Sequence, residues 1–304
     1  MNKTLIFLLK LVAMIAILGF VGWKLYDAWK SVNDAQLHVD WVFGGLAVVT
    51  FAGSMLTSGC TWRWLAYRMG DRTSTFPLLG AYTFSQMGKY IPGKVMLLLM
   101  RIERTSRLGM DPQVCVVSTL IENAMYMVSG GLVAVITVVI YLRDKPLYAL
   151  PVAAGLMALA CVFHPNIFYR LINTGLRRMK RPEVPVEQRL HVPDLLLAVA
   201  FFLPCWVFGG LSLWCATRSI TMIDSQHLLV MPGAYALAVT GGMASLFPGG
   251  LGPNEGIKTL FLLPMLGNNA KAALLAVGVQ RLAQVLVEVV LGTAGAGLTS
   301  LRRK

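Results

Sequence analysis

The chain has 304 residues, of which 56% are hydrophobic and 13% charged, and its mean hydropathy is +0.65. This composition excludes a soluble globular protein and predicts a single integral membrane domain over residues 1–304. The formal net charge of +13 does not indicate nucleic-acid binding, because most Lys and Arg residues lie in short connectors between apolar segments, where they set topology and attract anionic lipids.

Six apolar segments have the length of membrane spans, for which a helix needs about 20 residues. In chain order they cover residues 5–23, 41–60, 113–142, 147–163, 195–216 and 272–298. The first segment follows Asn2-Lys3-Thr4 and has no small-residue cleavage site, so we expect it to be an uncleaved first helix. The predicted fold class is therefore an all-α, multi-pass membrane protein.

Basic residues are concentrated in alternate connectors between these segments. The richest connectors hold Arg63, Arg68 and Arg72; Arg101, Arg104 and Arg107; and six basic residues within 164–194. The positive-inside rule places these connectors in the cytoplasm, together with both chain termini. We therefore expect a protein of the inner (cell) membrane, in which part of 164–194 forms an amphipathic helix on the membrane surface.

The apolar stretch 76–100 is interrupted at 86–94 by Gln-Met-Gly-Lys-Tyr-Ile-Pro-Gly-Lys. A spanning helix does not normally have Gly-Lys and Pro-Gly-Lys at its centre, and the basic connectors on both sides indicate that the segment does not cross. We predict a helical hairpin that re-enters on the cytoplasmic side. Irregular backbone at membrane depth is tolerated only inside protein or beside a water-filled cavity, so this interruption predicts a cavity.

A second interruption occurs at 247–256 within the apolar stretch 229–266, and it predicts a second re-entrant hairpin that enters from the opposite side. Residues 1–145 and 146–304 then show the same order of spans and hairpin, which predicts an inverted repeat. In transporters with inverted repeats the substrate site lies near the membrane midplane, where the broken helices meet.

The spacing from Gly88 to Lys94 matches the phosphate-loop pattern G-x-x-x-x-G-K. A nucleotide site is not predicted, because Val95 stands where a Ser or Thr should bind magnesium, Pro92 lacks an N–H group, and no soluble strand and helix surround the motif. Its glycines and lysines nevertheless suit the approach of a phosphate.

Three polar residues of this first interruption are candidate ligands for a substrate, namely Gln86, Lys89 and Lys94. Ionisable residues within membranes usually mark functional sites. The alternative interpretation of the two lysines is that their side chains extend to the cytoplasmic headgroups and bind no substrate.

Polar residues recur along one face of the third span. Ser118, Glu122, Tyr126 and Ser129 are spaced four, four and three residues apart, and Asn123 lies beside them. Such a stripe is expected to face the interior of the helix bundle, because lipid does not solvate it.

The second interruption and the last span supply six more polar residues: Asn254, Glu255 and Lys258, and Arg281, Gln284 and Glu288. Arg281 and Glu288 either neutralise each other or pair with Glu122 and Glu255. A local pair between Glu255 and Lys258 is the structural alternative to a binding role. A further hypothesis is that Glu255 couples transport to protons.

Enzyme signatures are not found in the sequence. All four histidines lie in loops without metal-binding spacing, there is no G-x-S-x-G, and there is no paired-aspartate motif. The five cysteines are scattered without C-x-x-C spacing and are interpreted as small side chains of the apolar segments. We expect no metal, no cofactor and no catalytic residue.

Two stretches resemble a known family. Gln86-x-Gly88-Lys89-Tyr90-Ile91-Pro92-Gly93-Lys94-Val95 resembles the signature of the lysylphosphatidylglycerol synthase transmembrane-region family of flippase-like membrane proteins, and Pro248-Gly249-Gly250-Leu251-Gly252 followed by Glu255-Gly256 is similar to its second glycine-rich motif. The sequence departs from the family at Met96 and at Pro253-Asn254. The resemblance implies movement of a lipid or lipid-linked intermediate between leaflets. It implies no aminoacyl transfer, because no soluble transferase domain accompanies the region.

The predicted function is a transporter or flippase for an anionic phospholipid or a polyprenyl-phosphate type of lipid. Its phosphate-facing cations are predicted to be Lys89, Lys94, Lys258 and Arg281, and its counter-charges Glu122, Glu255 and Glu288. One alternative is a membrane enzyme that acts on a lipid phosphate, with Glu255 or Glu122 as general base. Another is a non-catalytic partner of a glycosyltransferase or other lipid-modifying enzyme.

Overall fold

A computed structural model describes residues 40–91, 95–141, 165–178, 183–185, 189–245 and 248–300. The α-helices in these ranges are α1 (Trp41–Arg68), α2 (Thr75–Gln86), α3 (Met96–Ser106), α4 (Pro112–Tyr141), α5 (Pro165–Arg178), α6 (Val192–Arg218), α7 (Met231–Ala244), α8 (Pro253–Leu262) and α9 (Ala270–Ser300). The predicted spans at 5–23 and 147–163, and the candidate ligand Lys94, lie outside the described residues.

Four of the helices are long and apolar enough to cross a membrane: Trp41–Arg68, Pro112–Thr137, Val192–Arg218 and Ala270–Leu298. They coincide with four of the six predicted spans, so a multi-pass helical membrane protein is confirmed at this level. The count of six spans stays a prediction.

Helix α1 continues eight residues beyond the predicted end of its span at residue 60. It can do so because its basic residues pair with carboxylates: the buried Arg63 guanidinium lies 3.1 Å from Asp71, and that of the half-exposed Arg68 lies 2.7 Å from Asp194. The helix ends where Gly70 adopts φ +97°, a conformation that favours glycine. Arg63 is therefore a buried residue and does not belong to an exposed connector.

The first interruption separates two short helices, α2 and α3, as predicted. After Gln86 the chain tightens into a 3₁₀ turn at Met87–Tyr90, and α3 then packs back against α2. Gly88 allows this return, since a Cβ at residue 88 would lie 2.7 Å from both the N and Cα atoms of Leu97.

The second interruption separates α7 from α8, again at the predicted place. Its backbone contains Gly249, Gly250 and Gly252 with φ of +59°, +68° and +89°, values that L-residues rarely adopt. The glycines of this stretch thus serve a sharp change of chain direction. Re-entry of either segment from one side of the membrane stays a prediction.

The two halves of the chain use the same packing scheme. The order long helix, two short helices, long helix occurs as α1 to α4 and again as α6 to α9. Helix α2 packs on α9 of the other half, and α7 correspondingly packs on α4, while α1 and α6 pack on each other. This packing brings the two broken segments together around one cavity. The inverted repeat of residues 1–145 and 146–304 stays a prediction.

Helix α5 is amphipathic, as predicted for part of 164–194. Its buried side chains Tyr169, Asn173 and Leu176 recur at helical spacing, whereas Arg170 and Arg177 are exposed. The Tyr169 hydroxyl contacts the carbonyl of Leu190 at 3.1 Å, which holds α5 against the segment that leads into α6.

Candidate functional site

A cavity of about 340 Å³ lies between the two broken segments. The first segment contributes Tyr82, Gln86, Lys89, Leu97, Leu98 and Arg101 to its wall, and the second contributes Tyr235, Val239, Gly242, Met243, Gly249, Gly250 and Asn254. Side chains of α1, α4, α6 and α9 complete it. The cavity thus occupies the place at which the sequence predicts a site, between the interruptions.

The two interruptions touch each other beside this cavity. A Cβ at residue 249 would lie 3.1 Å from the Tyr90 ring, so the glycine allows that ring to pack on the backbone of the second interruption. The Arg281 guanidinium lies 5.5 Å from the centre of the same ring, within the range of a cation–π contact. Tyr90 therefore joins the 3₁₀ turn to both Gly249 and α9.

Lys89 is the partly accessible cation of the cavity wall. Its ammonium lies 2.5 Å from Glu288 of α9, and the side chains are 26% and 3% exposed, respectively. The carboxylate also accepts a hydrogen bond from the Gln284 amide at 3.0 Å. Glu288 is thus buried, and its Oε1 atom accepts both hydrogen bonds, whereas the lysine faces the open space.

Arg281 is the anchor of the second interruption on α9. It is 2% exposed, and its guanidinium lies 3.4 Å from the Glu255 carboxylate of α8. It also donates to the side-chain amide oxygen of Gln284 at 3.3 Å and to the backbone carbonyl of Gly249 at 3.5 Å. The other oxygen of Glu255 accepts from the Gly252 N–H at 2.7 Å and caps the start of α8.

Lys258 has no carboxylate within ion-pair distance in the described part of the chain. Its ammonium donates to the side-chain oxygen of Gln280 at 2.7 Å and lies 5.1 Å from the centre of the Tyr235 ring. The residue is 1% exposed and does not line the cavity. The predicted local pair between Glu255 and Lys258 is therefore wrong, because each side chain turns to a different residue of α9.

Arg101 is a second cation in the cavity wall and is 1% exposed. It forms an ion pair with Glu122 of α4 and donates hydrogen bonds to the hydroxyls of Ser85 at 3.1 Å and Thr119 at 3.3 Å. Its guanidinium lies 4.3 Å from the centre of the Tyr82 ring, and the Tyr82 hydroxyl donates to Glu122 at 2.9 Å. This arginine is thus held by groups on three sides.

The assignment of Arg101 to an exposed cytoplasmic connector is wrong. The residue lies in the middle of α3, where it links the first broken segment to α4. The signal that points to it is Glu122, because a carboxylate in an apolar span requires a buried cation. Neither the positive-inside rule nor the spacing of the basic residues distinguishes a buried arginine from its exposed neighbours.

The structure brings most of the predicted site residues to one place. Those that line the cavity are Gln86, Lys89, Glu122, Asn254 and Glu288. Arg281 contacts the lining residue Gln284, Glu255 pairs with Arg281, and Lys258 reaches the cavity wall through the Tyr235 ring. The polar stripes of α4 and α9 face the bundle interior as predicted, since Ser118, Glu122, Arg281, Gln284 and Glu288 are all buried. Of the alternative pairings for Arg281, the one with Glu255 is found.

The family of the chain follows from a comparison with protein-family models. The model of the lysylphosphatidylglycerol synthase TM region matches residues 7–292, which is nearly the whole sequence and includes both interruptions. No curated protein matches the chain. The resemblance noted in the two motifs is thereby confirmed over residues 7–292.

Proposed function

The chain belongs to the lysylphosphatidylglycerol synthase transmembrane-region family, and from this premise we propose that it moves an anionic lipid between the leaflets of the cell membrane. The observation that carries the proposal is the cavity between the two broken segments, with the Lys89 ammonium in its wall. The phosphate of the lipid headgroup binds in this cavity while the hydrocarbon chains remain in the bilayer. Both hairpins re-enter the membrane, from opposite sides, and both termini are cytoplasmic.

Lys89 is the residue best suited to receive the phosphate. An ammonium has three N–H donors. Within the described part of the chain, Glu288 accepts a hydrogen bond from one of the three donors of Lys89. Charge-assisted hydrogen bonds to phosphate oxygens are short and about twice as strong as neutral ones. Arg101 is less available, because Glu122, Ser85 and Thr119 already accept its hydrogen bonds.

The contacts of the two candidate general bases favour transport over catalysis. In Glu122 one carboxylate oxygen accepts from Tyr82 and the other from Arg101. In Glu255 one oxygen caps α8 and the other faces Arg281. A general base needs an oxygen within hydrogen-bond reach of the substrate proton. Both carboxylates instead hold the walls of the cavity together.

The test is lipid movement by the purified protein in vesicles of phosphatidylcholine. Each vesicle carries a trace of fluorescent phosphatidylglycerol or, in a parallel series, of a fluorescent polyprenyl phosphate. A membrane-impermeant quencher is added outside, and the loss of fluorescence is followed over time as labelled lipid moves from the inner to the outer leaflet. We expect the wild-type protein to move at least one of the two lipids faster than protein-free vesicles do. Equal rates for protein and protein-free vesicles, with both lipids, would contradict the proposal.

Lys89→Ala is expected to slow lipid movement at least about tenfold, because a hydrogen bond to a charged group contributes about 1.5–3 kcal/mol. The matched control is Lys271→Ala, which removes an exposed lysine in the first turn of α9 and should leave the rate within about twofold of wild type. Equal loss in both variants would assign the effect to net charge. Mass spectrometry of the lipids after the assay separates transport from the enzyme alternative, which requires a new lipid product.

A further inference from the structure

A continuous series of polar contacts joins the two interruptions along α9. It runs from Glu255 to Arg281, from Arg281 to Gln284, from Gln284 to Glu288 and from Glu288 to Lys89, with distances of 3.4, 3.3, 3.0 and 2.5 Å. Its first member lies in the second broken segment and its last member in the first.

Gln284 occupies the middle of this series in a single orientation. Its amide oxygen accepts from the Arg281 guanidinium, and its amide nitrogen donates to the Glu288 carboxylate. The reversed amide would place an N–H group against the cation and an oxygen against the anion. The two charges therefore fix the side chain, and the side chain bridges a separation of seven residues, which is about 10 Å along a helix.

Binding of a phosphate at Lys89 disturbs this series at one end. The ammonium then serves two anions, the phosphate and Glu288, and the interaction of Glu288 with its cation weakens. Glu288 is 3% exposed, so water does not compensate the carboxylate. Among the described residues, the hydrogen-bond donor that remains to Glu288 is Gln284. The Gln284 amide oxygen accepts from Arg281, the residue that holds Glu255 and the Gly249 carbonyl.

We propose that Gln284 is the positioning residue that transmits headgroup binding at the first interruption to the second interruption. The inference rests on the proposed function, because it takes the phosphate at Lys89 as its starting point. When the headgroup binds, Gln284 and Arg281 shift toward Glu288, and the contacts of Arg281 with Glu255 and Gly249 loosen. The second interruption is thus held less tightly to α9 when a ligand binds at the first.

Gln280 provides a matched control for the role of Gln284. It is one helical turn away on α9, it is equally buried, and it also contacts α8, through Lys258. It does not belong to the series between Lys89 and Glu255. Gln280→Glu therefore changes a buried glutamine of the same helix, keeps an acceptor for the Lys258 ammonium and leaves the series intact.

The experiment is amide hydrogen exchange of the full chain in phosphatidylcholine nanodiscs with and without phosphatidylglycerol. Peptides that cover 86–91 report on the first interruption, and peptides that cover 249–256 report on the second. In the wild type and in Gln280→Glu we expect the anionic lipid to change exchange at both interruptions, by about fivefold or more at the second, the lower end of typical coupling between sites. In Gln284→Met the response at 86–91 should persist, whereas that at 249–256 should fall below about twofold.

Gln284→Glu is a second variant that tests the same link. It keeps an acceptor for Arg281 but replaces the donor to Glu288 by another carboxylate, so it too should lose the response at 249–256. A normal response at the second interruption in both variants would overturn the inference alone. A wild type in which only the first interruption responds would do the same. A wild type in which neither interruption responds to phosphatidylglycerol or, in a parallel series, to the polyprenyl phosphate would overturn the proposed function and this inference with it.

Discussion

Arg101→Met is expected to lower the free energy of unfolding by about 3–5 kcal/mol, the usual effect of removing one partner of a buried ion pair. The substitution leaves the Glu122 carboxylate, 6% exposed, with the Tyr82 hydroxyl as its only donor among the described residues. It also removes the donors to Ser85 and Thr119. The measurement is reversible unfolding of the purified protein in mixed micelles.

Arg107→Met is the control for this prediction, because Arg107 belongs to the same part of the chain and also forms an ion pair, with Glu103. The side chains of Arg107 and Glu103 are both about half exposed, and such pairs contribute about 0–1 kcal/mol. The double variant Arg101→Met, Glu122→Met should recover much of the stability that Arg101→Met loses, since no buried charge remains unpaired. A loss for Arg101→Met no larger than that for Arg107→Met would contradict a buried ion pair.

Gly88→Ala is expected to slow lipid movement at least about tenfold and to destabilise the protein by about 1–3 kcal/mol, the range for inserting a carbon into a packed interior. The added Cβ would lie 2.7 Å from the backbone N and Cα of Leu97, atoms that cannot rotate away. The start of α3 must therefore move away from the 3₁₀ turn. Lys89 is the next residue, so its ammonium is displaced from the cavity wall together with the turn.

The measurements for Gly88→Ala are the vesicle assay and unfolding in mixed micelles, with Gly256→Ala as control. Gly256 belongs to the second glycine-rich motif, but a Cβ there would have no atom within 4 Å. The control should keep its transport rate and gain a few tenths of a kcal/mol to about 1 kcal/mol, because alanine is the better helix former in α8. Similar behaviour of the two variants would contradict the close approach of α3 to the turn.

The architecture was largely predictable because it depends on properties that are local in the chain. An apolar run of sufficient length predicts a spanning helix, and α4 begins at Pro112, one residue before its predicted start at 113. Glycine and proline within an apolar run predict a break, and both breaks occur between short helices. The length of α1 was not predictable in this way, because its last turns are polar and their stability depends on partners such as Asp194, more than a hundred residues away.

The candidate site was predictable as a set of residues, and its pairings were not. Helical spacing places Glu122 on one face of α4, and Arg281, Gln284 and Glu288 on one face of α9, and burial confirms both faces. Spacing left open whether Arg281 would neutralise Glu288, Glu122 or Glu255. Each of these pairings has plausible geometry within a helix or between neighbouring helices, so local arguments do not rank them.

By itself, therefore, the sequence determined the membrane class, the family motifs, the positions of the two breaks and the polar faces of α4 and α9. The tertiary structure alone decided which charges meet: Lys89 with Glu288, Arg281 with Glu255 and, against expectation, Arg101 with Glu122. The physical reason is that helical periodicity specifies the direction in which a side chain points around its own axis. The partner that it meets depends on which helix packs there, and that is a property of the whole bundle.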